Sequence, residues 1–486
     1  MDKPRTIIPI QPIAAGADGR REEMVSLYEA QPKIYPREVS GWFTRWRWAL
    51  VALTQLVFYG LPWLNWNGRP AMLFDLGTRR FYLFDLVLYP QDFIYLTVLL
   101  IISAYGLFLF TAVAGRLWCG YACPQTVYTE LFLWIERRWE GDRGRRMKLD
   151  RPGWTFEKLW RKSGKHASWL LLSFWTGFSF VGYFTPIRTL WQEMVTLGMG
   201  PWELFWTAFY GLATYGNAGF MREQVCKYMC PYARFQSAMF DRDTLVISYD
   251  EKRGEPRGSR PRGSVAAERG LGDCINCTLC VQVCPTGIDI RDGLQYECIG
   301  CAACIDVCDT VMDKIGSPRG LIRYATQNGM DAGWSRAQMW ARIARPRVLI
   351  YSSILLLVTV AFMASLYLRA PFKVDVVRDR GALARIVDEG YIENVYRVQI
   401  MNATETEQRF GIFMDHLPQA RMQVQPEIIV GPAEARWVAV AVRVPPEVGQ
   451  MLKPGAQRVE MVITRQRQGE HADVAVREKT TFMVPR

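Results

Sequence analysis

Cys274-Ile-Asn-Cys277-Thr-Leu-Cys280-Val-Gln-Val-Cys284-Pro285 is followed, after a short spacer, by Cys298-Ile-Gly-Cys301-Ala-Ala-Cys304-Ile-Asp-Val-Cys308-Asp309. Three thiolates at this spacing wrap three corners of a cubane, and the fourth ligand must come from elsewhere. Where two such runs occur together, the fourth cysteine of each serves the other cluster. The spacing therefore predicts two [4Fe–4S] clusters. Cys274, Cys277, Cys280 and Cys308 are expected to hold one, and Cys298, Cys301, Cys304 and Cys284 the other. CxxC pairs also hold zinc, but eight cysteines in two such runs are far more specific than one pair. Asp309 stands where the pattern has proline, a change that removes no ligand.

The other four of the 12 cysteines form a repeated hexapeptide, Cys119-Gly-Tyr121-Ala-Cys123-Pro124 and Cys226-Lys-Tyr228-Met-Cys230-Pro231. Positions i and i+4 share a helix face, so a helical chain here turns both thiols of each pair one way. Two facing pairs offer up to four thiolates. Soft thiolates suit copper(I), with zinc as the other candidate. The proline after each pair is expected to bend the helix and free the carbonyls of Gly120 and Lys227. Cysteine is also a small apolar residue that packs well between helices, so a single copy would mean little. The duplication gives the motif weight.

Five stretches carry no charge: 48–68, 93–115, 167–187, 204–221 and 348–368. A spanning helix needs about 20 apolar residues, so each is read as a membrane crossing rather than a buried helix of a soluble core. No short apolar signal segment precedes residue 48. Basic residues mark the sides: residues 1–47 hold eight Lys/Arg and 116–166 hold twelve, whereas 188–203 hold only Arg188. The positive-inside rule places the N-terminus and all cysteines in the cytoplasm, where thiols stay reduced, and the C-terminal part outside. The net charge of +12 thus points to lipid headgroups, with no aromatic-interleaved basic patch to suggest nucleic acid. Haem is disfavoured because only His166 lies near the membrane, and no GxGxxG marks a dinucleotide site.

The resulting architecture is a multidomain membrane protein. A cytoplasmic tail (1–40) precedes a transmembrane α-domain (41–240) bearing the two CxxxCP motifs. A linker (241–270), a two-cluster ferredoxin-like insert (271–312) and a connector (313–347) lead to the fifth transmembrane helix (348–368). Alternating strands at 396–401, 437–444, 459–464 and 474–476, separated by Pro and Gly turns, predict a C-terminal all-β, immunoglobulin-like sandwich over 370–486.

With these motifs assembled, the chain resembles the cytochrome c oxidase accessory proteins called CcoG, FixG or RdxA. The resemblance rests on Arg116 to Pro124, Cys226 to Pro231, Cys274 to Cys308 and the outer segment Tyr391-Ile-Glu-Asn-Val-Tyr-Arg-Val-Gln-Ile-Met-Asn402. It implies a bacterial inner-membrane protein with a periplasmic C-terminal domain, which reduces Cu(II) to Cu(I) for assembly of a cbb-type oxidase. Cys119, Cys123, Cys226 and Cys230 would be the copper site and the clusters the electron supply. A copper-transporting P-type ATPase and oxidase subunits or assembly factors would be partners, with the electron donor unknown and a homo-oligomer left open. A quinol- or flavodoxin-linked membrane ferredoxin without copper chemistry is the alternative.

Overall fold

The computed structural model describes residues 33–261, 267–379, 381, 384–425, 427–466 and 474–485. Helix α1 (Trp42–Gly60) ends where Gly60 and Pro62 interrupt the apolar stretch. Strands β1 (Met72–Asp75), β2 (Arg80–Leu83) and β3 (Leu86–Leu88) then form an antiparallel sheet. Helix α2 (Phe93–Ala114) returns the chain to the thiol-bearing end, followed by α3 (Leu117–Tyr121) and α4 (Pro124–Glu140). Helices α5 (Phe156–Val181) and α6 (Pro201–Gly216) form the next hairpin, and α7 (Pro231–Met239) follows the second thiol motif. Helices α5 and α6 approach closely at small residues, since a side chain on Gly177 would strike the Thr207 carbonyl, a device common between helices in lipid.

Five helices overlap the five charge-free stretches, but two segments, Pro90–Ala114 and Pro346–Tyr367, are long and apolar enough to cross a membrane among the described residues. Two of the five expected spans meet this measure, and the other three helices do not. Residues 61–68 leave the helix, the 167–187 stretch is helical only to Val181, and the 204–221 stretch passes into a π-turn at Asn217. Helix α2 leaves Ile94, Leu99, Leu100 and Ile101 exposed together, an apolar patch that in a folded chain marks contact with lipid or another apolar surface.

In the ferredoxin-like unit, β4 (Val246–Tyr249) pairs antiparallel with β5 (Ile322–Ala325) and closes over α8 (Leu279–Val283) and α9 (Ala303–Ile315). The segments read as linker and connector therefore contribute a strand each to this unit. Their local polarity conceals a pairing made across the whole insert. The tail reading is corrected in part as well. Residues 1–32 lie outside the described residues, but 33–40 are docked. The Tyr35 hydroxyl donates to Asp150 (2.7 Å) and the Arg37 amide to the Gln282 carbonyl (2.8 Å).

Helix α10 (Pro346–Tyr367) runs beside α2, with Tyr95 against Phe362 and Tyr105 against Tyr351. It leads into a two-sheet sandwich. One sheet is ordered β9-β11-β7-β6, from β6 (Phe372–Arg378), β7 (Ile392–Asn402), β9 (Arg421–Gln423) and β11 (Ala435–Val444), with Arg385–Ile386 at the edge of β7. The other is ordered β10-β8-β12-β13, from β8 (Gln408–Asp415), β10 (Ile428–Val430), β12 (Gly455–Gln466) and β13 (Val474–Val484). Val438, Val440, Val442 and Val444 alternate inward along β11 and meet Tyr396, Phe410, Ile463 and Phe482, the period-2 pattern of a half-buried strand.

The small β1–β3 sheet is the sandwich's seat. Leu73, Tyr82, Val87 and Tyr89 pack on Met401 and Ala433. Asp92, at the start of α2, pairs with Arg369 (2.8 Å) and Lys373. The sandwich thus sits at one end of α2, and the cysteine motifs at the other.

Candidate metal centres

Each ferredoxin run folds the same way. Asn276 and Gly300, two residues after the first cysteine of each run, have φ of 54° and 69°. Thr278 and Ala302, one residue after the second, have φ of 57° and 60° and begin α8 and α9. A left-handed non-glycine residue costs roughly 1–2 kcal/mol. Three of these four positions bear that cost, and the turns wrap the chain around two cavities.

The first cavity, about 30 Å³, is lined by Cys274, Cys277, Cys280 and Cys308 among apolar side chains such as Val311 and Leu321. The second, about 20 Å³, is lined by Cys284, Cys298, Cys301 and Cys304, with Cys280 on the shared wall. The fourth cysteine of each run therefore lies with the first three of the other. Among the described residues, no group of three or more Cys, His, Asp or Glu side chains closes to the spacing of a single ion. Thiols disposed around a cavity suit the corners of a cubane, whereas zinc needs its sulfurs about 2.3 Å from one centre. Burial pushes the Cys280 thiol up to about 11 and those of Cys298 and Cys308 up to about 12. Bare thiolates are costly there, and bound iron would offset that cost.

The twin motifs do not form continuous helices. Cys119 lies in α3, but Cys123 is extended (φ −61°, ψ 128°) and caps α4. Cys226 lies in a π-turn, Val225–Met229, and Cys230 is extended (φ −79°, ψ 108°), capping α7. The expected shared helix face and bend are corrected here. A residue before proline is driven to extended backbone, and Pro124 and Pro231 start new helices at the position where a missing amide costs nothing. The prolines separate the two thiols of each pair onto successive elements.

The two motifs nevertheless approach one another, although among the described residues their thiols do not close to the spacing of a single ion. Cys226 feels the charge of Cys123, Cys119 and Cys230, and burial first, then these neighbours, pushes its thiol up to about 12. Burial pushes Cys119 up to about 11, although its thiol donates to Gln236 Oε1 at 3.3 Å. Cys123 is raised by burial against the opposing amides of Gln125 and Thr126 at the start of α4. Arg116 places its guanidinium among Cys119, Cys226, Cys230 and Cys298, and bonds the carbonyls of Tyr296 and Ala233.

The first motif is set directly against the second ferredoxin run. A Cβ on Gly120 would lie 2.8 Å from both the N and Cα of Cys301. Cys119 and Cys226 pack on the apolar group containing Ile299 and Cys301. Ile299 and Thr286 line both the second cluster cavity and a small void beside Cys226. Sequence reasoning noted Arg116 only as an arginine upstream of the motif and Gly120 only for its carbonyl, and it missed Gln236. For Gly120 the signal was available, since the second motif has Lys227 at that place. Gln236 has no local signature.

Similarity to known proteins agrees with this arrangement. A model described as a 4Fe-4S dicluster domain matches residues 221–327, and one described as a 4Fe-4S binding domain matches 96–141. A model of the IG-like fold at the C-terminus of FixG matches 362–485. Nitrogen fixation protein FixG of Rhizobium meliloti is 37% identical over 429 residues, covering 82% of each chain. Protein RdxA of Cereibacter sphaeroides is 42% identical over 399 residues, covering 80% of this chain and 83% of its own. The chain belongs to the FixG/RdxA family. As a FixG/RdxA protein it is a membrane-associated iron–sulfur redox protein. Its dicluster match takes in β4 and β5 as well as both cysteine runs. RdxB of the same Cereibacter strain, 43% identical over 385 residues, extends the likeness within the FixG/RdxA family.

Proposed function

We propose that this chain reduces copper(II) to copper(I) at Cys119, Cys123, Cys226 and Cys230, and that the product serves the copper site of a cbb-type cytochrome c oxidase. The observation that supports this most is the junction at Gly120, where the backbone of a thiol motif rests on Cys301. Cys274, Cys277, Cys280 and Cys308 would hold one [4Fe–4S] cluster, and Cys298, Cys301, Cys304 and Cys284 the other. When bound, each cluster can give up one electron, the number that one copper(II) takes. The protein's own residues prepare the acceptor. Soft thiols favour the copper(I) product, and the Arg116 guanidinium is near enough to feel the charge of Cys119, Cys226, Cys230 and Cys298.

In this reading the five helices cross a bacterial inner membrane. The N-terminus, thiols and clusters are cytoplasmic and the sandwich periplasmic, with a copper-transporting P-type ATPase and oxidase subunits or assembly factors as partners. The separation of sandwich and cysteines to opposite ends of α2 supports it.

One test is an anaerobic copper(II) titration of reduced protein with a copper(I)-specific chelator. Copper(I) should form as the cluster absorbance returns to its oxidised form. Changing both Cys119 and Cys226 to Ser should abolish copper(I) formation while leaving about eight iron atoms per chain, the content of two cubanes. The 4Fe-4S binding domain match over 96–141, which contains Cys119 and Cys123, favours a second reading in which the four thiols hold a further cluster. In that case the double variant loses iron. Persistence of reduced clusters in excess copper(II) would instead favour an electron-transfer ferredoxin without copper chemistry.

A further inference from the structure

A large cavity lies beside the first thiol motif, whose Trp118, Tyr121 and Ala122 line it. It measures about 1130 Å³ and lies between α1, α2, α3 and α9. Ligand sites usually occupy about 300–1,000 Å³, so it takes a whole cofactor-sized molecule. Trp42, Trp46, Trp118, Tyr121 and Trp340 line it, an aromatic set suited to a planar ring. Leu50, Phe110 and Ala114 continue it along α1 and α2. Phe110 is 40% exposed on the helix that is long and apolar enough for a membrane, so an apolar tail can extend toward lipid. Trp42 and Trp46 are exposed near the start of α1, as expected for residues at headgroup level.

The wall toward the clusters is thin. Ile322 lines both this cavity and that of Cys274, Cys277, Cys280 and Cys308. The buried Tyr121 hydroxyl has no hydrogen-bond partner of good geometry among the described residues. Its neighbour Tyr324 donates instead to the Gly300 carbonyl at 2.7 Å. The two hydroxyls lie close enough to interact, and a head-group oxygen would give Tyr121 a better-aligned acceptor.

The charges of the lining select the head group. Asp306 accepts from the Phe43 amide (3.2 Å) and the Thr44 amide and hydroxyl (both 2.8 Å). Asp313 pairs with Arg319 (2.7 Å), Arg323 with Asp250 (2.9 Å), and Asp309 accepts the Gly320 amide (2.9 Å). Arg336 lines the cavity as well, so three carboxylates and three guanidinium groups leave its lining with no net charge. A neutral aromatic head with an apolar tail fits better than a phospholipid or a flavin phosphate.

We infer that this cavity binds an isoprenoid quinol, the electron donor for the copper chemistry proposed above, on which the donor role alone rests. On oxidation both quinol O–H bonds break, two protons pass to water, and two electrons leave, one for each of the two iron–sulfur centres. The product is the quinone. Tyr121 donates to a head-group oxygen, and the tail lies along Leu50 and Phe110.

Binding is read without activity, by quenching of tryptophan fluorescence with decylubiquinone in the detergent-solubilised, cluster-loaded protein. Wild type should quench saturably. Ala114→Phe, which fills the tail channel, should weaken binding by roughly tenfold or more. Tyr121→Phe, which keeps the ring, should weaken it by roughly fivefold, the loss of one hydrogen bond. Cluster absorbance reports folding of both variants. Absence of saturable quenching in wild type, or equal affinity in correctly folded Ala114→Phe, overturns the site. Equal displacement of decylubiquinone by phosphatidylglycerol assigns the cavity to lipid and overturns it too. Failure of dithionite-reduced wild type to reduce copper(II) refutes the copper reading but leaves quinone binding standing, so the two outcomes are separable.

Discussion

The two CxYxCP motifs share a sequence but not a structure. The first is α-helical at Cys119, rests its Gly120 on Cys301 and buries Tyr121 to 7% exposure. The second is π-helical at Cys226, carries Lys227 in place of the glycine and leaves Tyr228 56% exposed. They match again at the preceding turn. Gly115 and Arg222, each four residues before its motif, adopt φ/ψ of 55°/−125° and 39°/−110°. A duplicated backbone has thus been put to two uses. One copy is seated against the iron–sulfur unit, and the other turns its tyrosine outward. Identical motifs predict similar local chemistry, and both Cys119 and Cys226 pack on the group around Cys301, but only the neighbours decide which copy sets its backbone against it.

The sharpest way to break this comparison is at the tyrosines. Tyr121→Ala should cost about 3–5 kcal/mol, the range for removing a buried aromatic ring, and Tyr228→Ala about 0.5 kcal/mol or less, as for exposed positions. Chemical denaturation of the cluster-loaded protein measures both, and equal losses would refute the asymmetry. Next is Gly120→Ala. The new methyl meets backbone rather than a movable side chain, so the cost lies near the upper end of the overpacking range, about 3 kcal/mol. Iron analysis should find partial loss of the second cluster, while full iron content with unchanged stability would show that the contact is loose.

A smaller effect tests the equivalence of the turns. Arg222 donates to Glu136 at 2.8 Å, and Glu136 also faces Arg146 at 3.3 Å, all three side chains being buried. Its truncation unbalances that group, at about 3 kcal/mol. Because Arg222 has positive φ, Arg222→Gly should be less damaging than Arg222→Ala by about 1 kcal/mol. The reverse order would mean that the turn relaxes.

Legibility in the sequence followed locality. The grouping of twelve cysteines was readable because ligand spacing is local, and the β-strands at 396–401 and 437–444 because alternation is local. The helices α2 and α10 were readable as long charge-free runs. The pairing of β4 with β5 was hidden because it joins segments on either side of the insert, each polar enough to read as linker. The same holds for the docking of residues 33–40. The basic excess of 116–166 was only partly about headgroups. Arg146 pairs with buried Glu136, and Lys162 (3.0 Å) and Lys165 (2.9 Å) both pair with buried Glu140. The helix-face reading of the thiols failed because it carried periodicity through a proline, where backbone sterics begin a new helix instead.

The central claim is that electrons leave the iron–sulfur unit for copper through the thiol motifs packed on Cys301. Anaerobic rapid mixing of fully reduced protein with copper(II), monitored at the cluster absorbance and with a copper(I) chelator, tests it most directly. The account predicts two copper(I) formed per chain as both clusters reoxidise, and loss of that reaction in the protein with Cys119→Ser and Cys226→Ser at unchanged iron content. Unchanged copper(I) formation in that variant, with its clusters intact, would contradict it.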